Sequence, residues 1–218
     1  NEKLFLETKS VFNPKKLQNL KPKLLKIFTF NAGFKKKLDD LLIILFDEPV
    51  TLVCVYSKTS TPSAPIIWDK KNIKGKARAI VVNSGNANAH TGKDGIKVID
   101  KYVNYLSKKI KCNKNEILVS STGVIGEILN PNLIIKKIDQ INKQKSSTLL
   151  DAAKAIMTTD TYPKIYVKKL TINSISFKIY GFAKGSGMIN PNMGTMLAYI
   201  FIDLKINKKI LNKLLKDN

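Results

Sequence analysis

Residues Ala79-Ile80-Val81-Val82-Asn83-Ser84-Gly85-Asn86-Ala87-Asn88-Ala89 decide the fold. Four apolar residues, three of them β-branched, read as a short buried strand that runs straight into a small, polar, glycine-containing cluster. Downstream, Ile96, Ile99, Val103, Leu106 and Ile110 recur at steps of three and four, which predicts an amphipathic helix with lysines on its wet face. A second apolar stretch, Ile117-Leu118-Val119, then enters Ser120-Ser121-Thr122-Gly123. Strand, polar cluster, helix and strand in this order indicate an α/β chain.

The same grammar extends in both directions. Leu41 to Phe46 reads as a buried strand closed by Asp47, Glu48 and Pro49, and Val50 to Tyr56 as another strand. Pro131 suits the first turn of a helix carrying Leu133, Ile134, Ile138 and Ile141. A further helix is expected near Leu149 to Met157, and strands at Ser176–Ala183 and Met196–Ile202. The first 35 residues, rich in lysine, show no readable period. Small polar and glycine residues thus gather at four strand or helix ends: 83–89, 120–123, 158–161 and 184–195. Each alone is readable as a turn, yet strand ends are where α/β proteins collect binding and catalytic groups.

Composition narrows the class. The chain has 218 residues, is 44% hydrophobic and 25% charged, and is long enough for a real core. No apolar run approaches the roughly 20 residues of a spanning helix, so no membrane role is expected. Net charge is +22, but 37 of the 38 basic residues are lysine and only Arg78 is arginine. Nucleic-acid surfaces lean on arginine and interleaved aromatics. Biased nucleotide composition, which enriches Lys, Ile and Asn together, accounts for the charge without a nucleic-acid partner. Cys54, Cys112 and a single histidine, His90, argue against a disulfide framework and against a His/Cys zinc site, and a reducing compartment fits. Because the sequence opens on Asn1, no targeting signal is read from it.

Lys184-Gly185-Ser186-Gly187-Met188-Ile189-Asn190 begins like a dinucleotide fingerprint but lacks the third glycine, and no phosphate-binding Gly-x-x-x-x-Gly-Lys-[Ser/Thr] loop occurs. Lone His90 cannot anchor a histidine triad. Thr195 offers another route. Preceded by Gly194 at the mouth of an apolar strand, its hydroxyl can attack the preceding carbonyl, and hydrolysis of the resulting ester frees a new N-terminus. The liberated α-amine, with an unperturbed pKa of about 7.7–8.0, can serve as base for that hydroxyl. The residues alone permit this chemistry without requiring it.

Four long motifs in order supply the requirement: 77–89 (Ala-Arg-Ala-Ile-Val-Val-Asn-Ser-Gly-Asn-Ala-Asn-Ala), 121–126 (Ser-Thr-Gly-Val-Ile-Gly), 155–164 (Ala-Ile-Met-Thr-Thr-Asp-Thr-Tyr-Pro-Lys) and 184–197 (Lys-Gly-Ser-Gly-Met-Ile-Asn-Pro-Asn-Met-Gly-Thr-Met-Leu). Together, from about Gly33 to Asp203, the chain resembles the ornithine acetyltransferase (glutamate N-acetyltransferase) ArgJ family. The resemblance implies an ArgJ/DmpA-like layered αββα-type sandwich of self-processing, N-terminal-nucleophile-like architecture, incomplete at the C-terminus. It implies autocatalytic cleavage at Gly194–Thr195, with residues 1–194 as the α part and 195–218 as the start of the β part, in an α2β2 heterotetramer.

The implied reaction belongs to arginine biosynthesis. Thr195 takes the acetyl group from N2-acetylornithine and passes it to glutamate, with acetyl-CoA a further donor in bifunctional members, no cofactor or metal, and a cytoplasmic or organelle-matrix location. Carried over by motif, Thr122 and Gly123 form the oxyanion hole. Substrate is held by Thr159 (Thr158 in the other register), by Lys184 and by Thr195. Three departures are visible: Gly194 where alanine is usual, His90 where cysteine is frequent, and Ser57-Lys58-Thr59 where a Thr-Thr-Asn-like segment is common. Later substrate-binding residues of the β part are expected beyond residue 218. A related self-processing aminopeptidase or hydrolase, and a non-catalytic basic binding protein, are the alternatives. Cleavage at Gly194–Thr195 excludes the last of these.

Overall fold

A computed structural model describes residues 21, 22, 24–186 and 196–217. Two sheets carry the fold. In the first, β1 (Lys26–Phe30), β2 (Leu41–Thr51), β3 (Lys76–Asn86) and β4 (Ile117–Val124) lie side by side in that order. β1–β2 and β2–β3 pair antiparallel, whereas β3–β4 is parallel and joined through α2 (Gly92–Ile110). The second sheet is an antiparallel meander of β5 (Lys164–Ile172), β6 (Ile175–Lys184) and β7 (Leu197–Ile202).

Alternation along the strands builds two cores. Leu41 and Ile43 of β2, with Ala79 and Val81 of β3, face α1 (Ala64–Asn72), α2 and α3 (Pro131–Ile138). Leu42, Ile44, Ile80 and Val82 point the other way, onto α4 (Leu149–Ala155) and the second sheet. That sheet meets them with two cross-strand rows, Val167–Tyr180–Phe201 and Ile165–Phe182–Tyr199. Lys184 shares the parity of Tyr180 and Phe182, so the pleat aims its side chain inward too. On the opposite face Tyr166, Ile175 and Ile200 are exposed.

The expected elements at 41–46, 79–82, 96–110, 117–119, 131–138, 176–183 and 196–202 are present. The strand expected over Val50–Tyr56 is corrected: β2 runs unbroken past Pro49 but stops at Thr51. A three-residue register shift between Leu45 and Val50 accommodates Pro49, which cannot donate to a ladder. Beyond Thr51 only Leu52 N–H finds a strand-like acceptor, the Gly75 carbonyl, because β3 begins at Lys76 and offers no further partner. Ile141 belongs to a separate 3₁₀ turn rather than to α3. β5 is an addition, paired to β6 through a two-residue turn whose Asn173 and Ser174 both have positive φ, 48° and 66°. Helix α5 (Lys208–Asp217) follows β7.

Edge strand β4 is tied to α1 by Asp69, which is 2% exposed and whose Oδ1 accepts the Val119 N–H at 3.1 Å. Burial lifts its carboxyl to about 8, and the Val119 bond only partly opposes the rise. With the folded value above the unfolded one, the native state holds the extra proton. Its contribution is therefore full below about pH 4 and lost as pH rises through 8. Asp69→Asn keeps an acceptor for Val119 and cannot ionise. Its stability relative to wild type should climb between pH 4.5 and 8, reaching on the order of 2–4 kcal/mol. Denaturant midpoints at the two pH values measure this, and parallel curves would show that Asp69 does not titrate in that window.

Candidate active site

Parallel pairing of β3 and β4 puts their carboxyl ends together, with Ser84 beside Thr122 and Gly85 beside Gly123. Ligand sites form at such ends because the following loops open outward there. Here the polar groups stitch the ends to each other. Ser121 Oγ donates to Asn83 Oδ1 at 2.6 Å, Asn83 Nδ2 to the Asn86 carbonyl, and Asn86 Nδ2 to the Glu127 carbonyl. The asparagines of 83–89 are thus framework. Asn88, fully buried, binds Thr91 and Gly95. His90 sits on the surface in this turn at φ 55°.

Thr122 is 3% exposed and Lys184 2% exposed. Lys184 Nζ donates to Thr122 Oγ1 at 3.2 Å and to Thr158 Oγ1 at 2.7 Å. Three of the four polar clusters thereby meet at one ammonium. Burial pulls the Lys184 pKa down, with Asp160 opposing and Lys164 adding to the fall. Asp160 anchors the 157–160 loop: its Oδ1 accepts from Lys164 Nζ at 2.6 Å and from the Gly185 N–H at 2.8 Å. Burial raises its carboxyl, but bonds from Lys164, Gly185 and Thr158 outweigh this and leave it below the usual range. Thr159 lies beside the cluster, its hydroxyl donating to the Ser186 carbonyl at 3.3 Å. Between the two registers, the hydrogen bonding brings Thr158 to Lys184 and turns Thr159 onto Ser186.

Gly123 has φ +134° and lies so close to β3 that a Cβ there would stand 2.3 Å from the Gly85 carbonyl carbon. Gly194 and Thr195, with the stretch from Gly187 to Met193, lie outside the described residues. The chain returns at Met196, whose Cγ is 3.5 Å from where a Cβ on Gly185 would be, and Leu197 pairs with Lys184.

Asp160 is a further participant that the sequence does not single out: it sits inside the 155–164 motif, and its acidic side chain next to two threonines is the available signal. Among the described residues no group of three or more His, Cys, Asp or Glu could hold a metal ion, and no helix is long and apolar enough to cross a membrane.

A buried ammonium joining two threonine hydroxyls, beside a glycine N–H at the end of a parallel strand pair, is suited to carbonyl chemistry, where negative charge develops on oxygen. Residues 26–218 match the ArgJ family along their whole length, and the chain belongs to that family. It is 40% identical to the arginine biosynthesis bifunctional protein ArgJ of Bartonella henselae, over 97% of this chain and 52% of that protein. With the protein of the same name from Rhizobium meliloti it shares 41% identity, over 86% of this chain and 46% of the relative. The chain thus spans about half the length of the curated relatives it matches.

Among solved structures, ArgJ from Bacillus halodurans superposes with a TM-score of 0.70 at 31% identity, covering 80% of this chain and 92% of that one. Ornithine acetyltransferase from Mycobacterium tuberculosis, complexed with ornithine, gives 0.65 at 25% identity, covering 78% and 92%.

Proposed function

We propose that the complete protein transfers an acetyl group from N2-acetylornithine to glutamate, in arginine biosynthesis, through an acetyl ester on Thr195. The observation that carries this reading is the Lys184 ammonium bonded at once to Thr122 and Thr158. An ammonium has three N–H donors, and two are spent on these hydroxyl oxygens. Each hydroxyl, its oxygen already accepting, is left to donate its own hydrogen. Thr122 then turns a donor, made stronger by the neighbouring cation, toward the developing oxyanion, alongside the Gly123 N–H. The third Lys184 donor suits a substrate carboxylate.

In the proposed sequence the Gly194–Thr195 bond is first cut, dividing residues 1–194 from the part that begins at Thr195. Thr195 Oγ attacks the acetyl carbonyl while its proton passes to the Thr195 α-amine. Collapse of the tetrahedral intermediate breaks the amide C–N bond, and the same proton goes to the departing amine of ornithine. The glutamate amine then attacks the ester and the steps reverse. Thr158 fits the substrate-binding threonine, with Thr159 bracing the loop. Acetyl-CoA as a second donor, an α2β2 assembly and a cytoplasmic location belong to the same reading. It calls for no metal or cofactor.

The full-length protein should convert N2-acetylornithine and glutamate into ornithine and N-acetylglutamate. Thr122→Val should lower kcat by roughly 10²–10³ with little change in thermal midpoint, the usual effect of removing one oxyanion donor. A variant within about threefold of wild type would remove Thr122 from the mechanism. Release of acetate in place of acetylglutamate would instead favour the hydrolase alternative.

A further inference from the structure

Lys35 stands on the loop between β1 and β2, and that loop is fixed from within. The buried Asp40 carboxylate accepts the N–H groups of Ala32 at 2.6 Å, Gly33 at 3.1 Å and Lys35 at 2.7 Å. Asn31 Nδ2 spans to the carbonyls of Lys35 and Leu38. From this frame the Lys35 side chain crosses to α4, where Nζ donates to the Met157 carbonyl at 2.6 Å and the Ala155 carbonyl at 3.3 Å. It also reaches the Asp39 carbonyl at 3.4 Å. Ser84 Oγ, from the end of β3, donates to the same Ala155 carbonyl at 2.5 Å.

These acceptors lie where α4 ends. The last carbonyls of a helix have no partner within it and carry partial negative charge, so an ammonium is the matching cap. The helix expected to run to Met157 stops at Ala155, and two of its trailing carbonyls are held by groups from elsewhere in the chain. The next residue is Thr158, whose hydroxyl faces Lys184. A clamp on Ala155 and Met157 therefore fixes the backbone on which that hydroxyl is mounted.

We infer that Lys35 is a positioning residue of the acyl-transfer site: by clamping the Ala155 and Met157 carbonyls it sets Thr158 against Lys184, and through Lys184 it sets Thr122. The inference rests on the function proposed above. The clamp depends on charge, because a neutral amine has fewer and weaker donors. Burial pulls the Lys35 pKa down to about 8, against Asp40, Asp39 and Asp160, which raise it, and together with Lys184, which lowers it further. Activity requiring the charged form falls as pH rises through that value. The Thr195 amine acts in the opposite sense, since it must be neutral.

The test compares full-length wild type with Lys35→Met and Lys35→Arg. In Lys35→Met, amide exchange across residues 156–161 should quicken by about tenfold or more while β3 and β4 stay protected. Its kcat should fall by about 10–100-fold, the scale of a displaced group close to the chemistry. Arginine keeps the donors and does not titrate, so Lys35→Arg should restore slow exchange and most of kcat, and its alkaline fall should move up from near pH 8.

Unchanged exchange and kcat in Lys35→Met would overturn the inference, as would an Arg variant whose pH profile copies wild type. Should Lys35→Met unfold globally, the Arg profile decides alone. A wild type without acetyl transfer would sink the functional reading, while the exchange comparison would still decide whether Lys35 holds the Thr158 loop.

Discussion

Alanine at Gly123 should all but eliminate acyl transfer and cost about 3–5 kcal/mol of stability, combining backbone strain with overpacking against main chain. The new Cβ would sit 2.3 Å from the Gly85 carbonyl carbon and 2.6 Å from the Asn86 nitrogen, atoms of the adjacent strand that cannot rotate away. The φ of +134° is itself hostile to a side chain. Relief requires β3 and β4 to part where Thr122 and the Gly123 N–H must converge. Gly126→Ala is the control: its φ of +88° carries strain, but nothing lies within 4 Å of the added atom. It should cost about 1 kcal/mol or slightly more and leave kcat nearly intact. Thermal unfolding and steady-state assays on both variants measure the contrast. A Gly123→Ala protein as stable and active as wild type would mean that the strand ends are not the oxyanion site.

Thr195→Ala should abolish both chain cleavage and acetyl transfer, the latter by at least about 10⁴-fold, as expected when a nucleophile is removed. Thr195→Ser should retain part of each, because the hydroxyl survives. An ordinary peptide bond resists attack through its planarity and resonance, so cleavage needs a fold that bends it and binds its oxygen. The pairing of Leu197 with Lys184 supports this reading, since it fixes the chain two residues beyond Thr195 against the backbone of the lysine that holds Thr122. Intact mass and activity are the paired readouts. A wild-type protein that stays in one piece yet transfers acetyl groups would refute the assignment of Thr195.

Much of this arrangement is legible in the residues, for identifiable reasons. α2 announces itself because Ile99, Val103 and Leu106 fall on one buried stripe. β2 and β3 do so because strands covered on both faces are continuously apolar. α1 is silent: it buries Pro65, Trp68 and Asp69 together, so its inward face is not an apolar stripe. β5 hides because its Lys168, Lys169 and Thr171 face solvent, and its Asn173-Ser174 turn lacks the glycine that flags a hairpin.

In the candidate site, Thr122, Gly123 and Lys184 are legible through motif resemblance. Of the two threonine registers, Thr158 is the one whose hydroxyl reaches Lys184, a contact the sequence does not display. Lys35 was invisible for a different reason. Its partners on α4 and just beyond are backbone carbonyls 120 and 122 residues away, and carbonyls leave no mark on a sequence.

Those long separations also set a clock. Lys184 meets Thr122 across 62 residues, Ser84 meets Ala155 across 71, and Lys35 meets Met157 across 122. Contacts that close such long loops form late, after local helices and hairpins. During synthesis Lys184 leaves the ribosome after Lys35, Thr122, Thr158 and Asp160, only eleven residues before Thr195. Under the function proposed above, Thr195 and the Lys184 that holds Thr122 therefore come under the control of one closing event. On that reading a half-folded chain holds Thr195 without the arrangement that would activate it, so the Gly194–Thr195 bond would be spared until these long loops have closed.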